Sequence, residues 1–403
     1  MPVIRMDDIR PKVHGWQQVQ DGAAEEREAL CIIVIAVEAL ALEVLFVVDK
    51  VVRNAVVLEL VEANKLGTPG DRDLPVVDML HRIAELLRDL AEFRHDDADI
   101  DALGLDWKYF NNGDLEFYDA VNFMKGGLIY ADYISTVSKT YAKEIQYEYF
   151  GEHLDGLLRS RQDTLFGIVN GIDYDVYNPS KDKNLYEGYD VTTLDRKADN
   201  KVLLQKDLGL PISRRTPMVA MVTRLVAAKG LDLVVRMMDE ILQHEDIQFV
   251  LLGTGDKAYE DWFKGLAWRF PTKVSANIYF SNQLAQRIYA ASDIFLMPSN
   301  YEPCGIGQLI ALRYGSVPVV RETGGLKDTI IPYDKYTKQG KGFRFADYNA
   351  HEMMYALKRA LSAYENYEEW KQIVENAMNS DYSWKESARE YKALYEKLTG
   401  SEA

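Results

Sequence analysis

The chain has 403 residues, a length that at roughly 100–200 residues per domain makes two or three domains. Its 47% hydrophobic and 27% charged residues exclude a wholly disordered or collagen-like chain, and two cysteines, Cys31 and Cys304, are too few for a disulfide scaffold or a four-cysteine zinc site. A formal net charge of -16 opposes nonspecific attraction to nucleic acid or an anionic membrane, which leaves small molecules and neutral polymers as expected partners.

Composition changes near Leu105. Residues 1–104 hold 11 Lys and Arg against 21 Asp and Glu and contain no serine, and all 25 tyrosines lie at or after Tyr109; two unlike segments therefore meet there. The opening Met6-Asp7-Asp8 is acidic, unlike a secretory signal or a transit peptide, so a cytoplasmic location is expected, or the plastid in a plant or alga. The apolar run 29–48 is interrupted by Glu38 and Glu43, which are costly in lipid, and reads as a buried helix or a strand pair rather than a membrane span. Over 76–93, Val76, Met79, Leu80, Ile83, Leu86, Leu87 and Leu90 recur at helical spacing, with Asp73 as a cap and Pro75 in the first turn. His14, His81 and His95 have no metal-ligand spacing. The segment 1–104 is thus expected to be acidic and largely helical.

Strands are expected at 132–138 and 165–169, each running into a loop. From Met218 onward, short β-branched runs alternate with helical patterns, the sequence form of parallel βαβ units. The expected strands are 218–222, 248–252, 277–280, 294–297 and 317–320; the helices between them are 231–243, 257–270, 283–291 and 306–314. After Gly342 the chain reads as helices at 350–364, 368–378 and 383–398. Continuous apolar strands are those buried on both faces of a doubly wound sheet, where ligands sit beyond the carboxyl ends of the strands.

The loops at those ends carry the candidate chemistry. Arg224 and Lys229 flank a turn into a helix, where two cations and backbone N–H groups can neutralise a diphosphate. Gly253-Thr254-Gly255 is a weak nucleotide signal alone. In Glu302-Pro303-Cys304-Gly305-Ile306 a carboxylate precedes a glycine-opened helix whose first N–H groups face an anion. Thr323-Gly324-Gly325 repeats the device. Two such helix starts, two cations and one carboxylate at successive strand ends describe a nucleotide-sugar site. Asp173-Tyr174-Asp175 has the Asp-x-Asp form of some metal sites, but three residues are too few to specify one; no metal is expected.

Together these residues resemble the bacterial glycogen synthases and plant starch synthases, retaining glucosyltransferases of the α/β, two-Rossmann-domain GT-B type. The resemblance runs over 105–398 and is carried by Asp106-Trp107-Lys108-Tyr109-Phe110, Thr136-Val137-Ser138, His153 to Arg159, Asn170 to Asp175, Arg224 with Lys229-Gly230, Glu302 to Gly305 and Thr323 to Leu326. It implies a remnant of the amino-terminal acceptor domain at 105–169, a nucleotide-sugar-binding Rossmann-like domain at 170–382, and a terminal crossover helix and tail at 383–403.

The resemblance also implies that Arg224 and Lys229 bind the diphosphate of ADP-glucose, that Glu302 contacts the donor glucose, and that Gly305 and Ile306 present N–H groups to sugar and phosphates. Thr323, Gly324 and Gly325 would cradle the distal phosphate, Phe280 would stack on adenine where the family often has tyrosine, and Asn170 and Cys304 would line the cleft near the sugar. Two departures are visible. Ile310 stands where relatives with a Glu-x7-Glu pattern carry a second acid, and residues 1–104 contain neither the family's Lys-Thr-Gly-Gly-Leu loop nor its Ile-His-Asn turn. The expected activity is transfer of glucose from ADP-glucose to the nonreducing end of an α-1,4-glucan. The alternative is a catalytically incomplete ADP-binding half-enzyme or chimera. Neither needs a cofactor, nucleic acid or membrane.

Overall fold

The computed structural model describes residues 32–38, 41–45, 100 and 105–400. The expected helix at 76–93 and His14, His81, His95 and Cys31 lie outside them.

A mixed sheet and a wholly parallel one organise the described chain. In the first, β1 (Ile32–Glu38) and β2 (Ala41–Leu45) form an antiparallel pair, so the run 29–48 contains two strands. A two-residue ribbon follows, β3 (Glu116–Phe117) with β4 (Ala120–Val121). Parallel to β1 lies β5 (Tyr133–Thr136), and next to it β6 (Leu165–Gly167), giving the order β2-β1-β5-β6. The helices of this part are short: α1 (Lys108–Asn111), α2 (Phe123–Tyr130), α3 (Lys139–Glu144) and α4 (Asp155–Ser160). Leu128, Ile134, Tyr141, Ile145 and Leu158 make its core.

The second sheet has six strands, all parallel: β7 (Met218–Val222), β8 (Gln248–Leu252), β9 (Val274–Asn277), β10 (Ile294–Met297), β11 (Val317–Arg321) and β12 (Phe343–Phe345). Its order, β12-β11-β10-β7-β8-β9, is the doubly wound arrangement in which β7 and β10, adjacent in space, lead their crossovers in opposite directions. That reversal opens a crevice at their carboxyl ends. The central strands are continuous apolar runs because helices cover both faces: α5 (Leu194–Asp207), α6 (Leu231–His244), α7 (Lys257–Arg269), α8 (Asn282–Ala291), α9 (Gly307–Arg313), α10 (Gly324–Thr329), α11 (Ala350–Tyr364) and α12 (Tyr367–Met378). On α6, Leu231, Val234, Met238, Ile241 and Leu242 are buried, at the 3–4-residue spacing that turns one stripe to the sheet.

The strand expected at 277–280 is displaced. β9 is Val274–Asn277, and Phe280 lies in the loop beyond it. As an edge strand, β9 is buried only at its ends, so it lacks the apolar run that marks its neighbours. The last helix, α13 (Trp384–Thr399), returns to the first sheet. Ser387 donates to the Val169 carbonyl at 2.7 Å, Lys139 pairs with Glu390 at 3.1 Å, and the Lys397 ammonium lies over the rings of Tyr133 and Phe166.

Candidate active site

The carboxyl ends of β7 and β10 bring the two strongest motifs together. After β7 the chain passes Arg224 and a 3-10 turn, Ala227–Lys229, before Gly230 opens α6 with φ 69°. A side chain could not stand at Gly230: an added Cβ would lie 2.0 Å from the Pro298 carbonyl oxygen. That close approach, with Asn300 N–H donating to the Ala228 carbonyl at 2.9 Å, presses the β7 loop against the β10 loop.

The contact aligns Lys229 with Glu302. Its ammonium donates to both carboxylate oxygens at 2.9 Å, and the Ser299 hydroxyl donates to Glu302 Oε2 at 2.8 Å. The carboxylate is only 1% exposed and the lysine side chain 14%. Such a pair survives burial because it is closely matched and hydrogen-bonded. Burial pushes the Tyr301 hydroxyl above the ordinary value, the Glu152 charge adding to the rise and Arg224 opposing it.

Beyond Glu302 the chain turns through Gly305, at φ 71°, a conformation that favours glycine, and Ile306 caps α9. Cys304 is buried behind this turn. Gln308 holds the loop from beneath: its amide donates to the Cys304 and Gly305 carbonyls, both at 2.9 Å. Gly325 N–H donates to the Glu302 carbonyl at 3.1 Å and to that of Pro303 at 3.0 Å, so α10 lies directly against the loop.

At α10 a side chain from the first sheet's part of the chain meets Thr323 and Gly324. Glu144, from the first part of the chain, accepts from the Thr323 hydroxyl and the Gly324 N–H, all at 3.1 Å. Two of the three residues that the sequence reading assigns to a distal phosphate thus donate to a carboxylate of the protein itself. Burial raises the Glu144 pKa above its ordinary value, and those two donors together with the Arg321 charge pull it part of the way back. Phe280, at 83% exposure, offers a ring face at the rim beyond β9. Asn170 is half-buried where the chain leaves the first sheet. Asp173 closes a turn by accepting from Asp175 N–H at 2.7 Å.

Sequence reasoning missed Glu144, Ser299 and Gln308. Ser299 lies three residues before Glu302 and Gln308 is the second residue of the helix after it, while Glu144 ends the helix that follows Thr136-Val137-Ser138; none has a spacing that names its partner.

The six-stranded doubly wound sheet, set beside a second sheet with parallel strands, has the architecture of a GT-B glycosyltransferase. Residues 209–377 match the family model for glycosyl transferases group 1, and residues 90–160 match that for the starch synthase catalytic domain. The chain belongs to the glycogen and starch synthase family of glycosyltransferases. It is 56% identical over 288 residues to glycogen synthase of Clostridium acetobutylicum, covering 71% of this chain and 60% of the relative. With glycogen synthase of Clostridium perfringens the identity is 57% over 295 residues, covering 73% and 61%. The catalytic domain of starch synthase IV from Arabidopsis thaliana, solved bound to ADP and acarbose, superposes with a TM-score of 0.68 at 37% identity, covering 74% of this chain and 63% of that one. This chain therefore spans about 60% of the length of the curated relatives it matches.

Proposed function

We propose that this chain transfers glucose from ADP-glucose to the nonreducing end of an α-1,4-glucan with retention at the anomeric carbon, in the cytoplasm, or in the plastid of a plant or alga. The observation that carries the reading is the buried Lys229–Glu302 pair at the mouth of the crevice, beside the turn at Gly305.

The transition state of such a transfer resembles an oxocarbenium ion leaving a diphosphate, so the protein's task is positioning and electrostatic stabilisation. Arg224 and Lys229 take the charge on the departing ADP, with no metal and no cofactor assigned to the step. Gly305 and Ile306 present N–H groups to the sugar and phosphates. Glu302, orientated by Lys229 and Ser299, contacts the donor glucose, and Asn170 and Cys304 line the cleft beside it. Phe280 stacks on adenine. Thr323 and Gly324, which donate to Glu144, and Gly325, which donates to the Glu302 and Pro303 carbonyls, support the Glu302 loop. Closure of the crevice excludes water that would otherwise hydrolyse the donor.

Incorporation of labelled glucose from ADP-glucose into a glycogen primer tests the reading, with Glu302→Ala as the paired control. Incorporation that disappears in the variant supports the transferase. Incorporation that persists in the variant would refute the role of Glu302. If neither protein incorporates glucose yet both bind ADP, the chain is a donor-binding half without its catalytic complement.

A further inference from the structure

Where the first part of the chain meets the donor domain, two short helices cap one another. Helices α3 and α10 have six residues each, and a helix leaves its first N–H groups without partners inside itself. On α3 the Ser138 side chain accepts from Tyr141 N–H, while Thr140 N–H donates out of the helix to Asp328 Oδ2 on α10, at 2.9 Å. The Thr140 hydroxyl donates to Asp328 Oδ1 at 2.5 Å. On α10 the first N–H, that of Gly324, donates to Glu144 on α3. Each helix thus supplies the carboxylate that caps the start of the other.

The spacing makes this a designed register. Thr140 and Glu144 stand four apart on α3, as Gly324 and Asp328 do on α10, so each pair occupies one face of its helix. Matching 140 to 328 and 144 to 324 lays the helices antiparallel with two contacts one turn apart. The joint lies next to the chemistry: an added Cβ on Gly324 would fall 2.0 Å from the Glu302 carbonyl oxygen, Gly325 N–H donates to that same oxygen, and Gln308 bridges from the loop to the Thr329 hydroxyl at 3.3 Å.

We propose that Glu144 and Asp328 form a reciprocal pair of helix caps joining the amino-terminal part to the donor domain, and that Glu144 is through this joint a positioning residue for the Glu302 loop. Seating of α3 on α10 fixes the height of α10, and α10 fixes the backbone that presents Glu302.

Hydrogen exchange on the full chain tests the joint without reference to catalysis. Loss of a cap of this kind is expected to speed exchange roughly 3- to 30-fold. In Glu144→Ala the peptide spanning 324–329 should accelerate by that factor, and in Asp328→Ala the peptide spanning 139–144 should do so, with β7, β8 and β10 unchanged. Glu144→Gln, which keeps an acceptor oxygen, should restore most of the protection. Unchanged exchange in both peptides would overturn the joint. Because either half reports on it, a single variant that fails to fold does not remove the test. A second readout rests on the proposed transferase activity and fails separately from the first: Glu144→Ala should lower kcat about 10- to 100-fold while KM for ADP-glucose changes little, and Glu144→Gln should recover it. A raised KM at unchanged kcat would make Glu144 a donor-binding residue and overturn the positioning role.

Discussion

Replacing Lys229 by methionine isolates the central pair. In the native protein the ammonium lies 2.9 Å from both Glu302 oxygens, and at an effective dielectric constant near 20 that separation corresponds to about 6 kcal/mol of attraction. Part of this offsets the desolvation of two charges, so the net worth of the pair is smaller. Removing one partner is different, because it leaves the other charge buried and uncompensated, at a cost of about 3–5 kcal/mol. Glu302 keeps the Ser299 hydrogen bond but loses its countercharge. Lys229→Met should therefore destabilise the six-stranded domain by that amount in urea unfolding, followed through Trp262 and Trp268 on α7. Glu302→Gln should cost less, since the lysine side chain is the more exposed partner, and the double variant should lose clearly less than the sum of the singles, a coupling above about 2 kcal/mol. By calorimetry Lys229→Met should bind ADP weakly, whereas Glu302→Gln should bind it at least as well as the native chain. Additive losses below about 1 kcal/mol each would show a pair screened like a surface one, and undiminished ADP affinity in Lys229→Met would refute its assignment to the diphosphate.

Three further outcomes are expected. Phe280→Ala should weaken ADP binding while leaving stability within about 0.5 kcal/mol, because the ring is exposed; calorimetry and urea unfolding separate the two. Gly230→Ala and Gly209→Ala form a matched comparison, since both glycines have φ 69° but only Gly230 meets backbone, with open space around Gly209. Gly209→Ala should cost about 1–2 kcal/mol for its left-handed backbone alone, and Gly230→Ala clearly more, with loss of ADP affinity as Lys229 shifts. Lys197 donates to the carbonyls of Ala290 and Ser292 at 2.8 Å at the end of α8, and burial brings its pKa down from 10.5 to about 7. Between those values the unfolded chain binds more protons than the folded one, so this residue makes stability rise with pH across that window, its burial costing most below about pH 7. Lys197→Met should flatten the pH dependence of urea midpoints between pH 7 and 10; an unaltered slope would refute it.

Residues 1–104 show how composition can mark a boundary without describing what lies before it. The absence of serine and tyrosine there separates the segment from the rest of the chain, yet amino-acid usage carries no register, and the pairing of β1 with β5 across the boundary had no counterpart in the sequence reading. Within 218–320 the reading was better, because parallel strands covered on both faces must be apolar along their whole length and the helices between them must carry a stripe. It faltered at β9, where the edge position relaxes that requirement.

Local physics therefore settled much of this protein from its sequence. The alternation of apolar strand and striped helix, and glycines at Gly230 and Gly305 where the backbone must turn at positive φ, are properties of a few consecutive residues and can be read from them. What only the tertiary structure decided is which loop ends meet. Lys229 and Glu302 are 73 residues apart, and Glu144 and Gly324 are 180 apart; a charge or an N–H group in a sequence names the kind of partner it needs and not the one it will find. Strand order makes that choice. By setting β7 beside β10, it turned a lysine and a glutamate into a buried pair, while the packing of α3 on α10 placed the Glu144 carboxylate on Thr323 and Gly324.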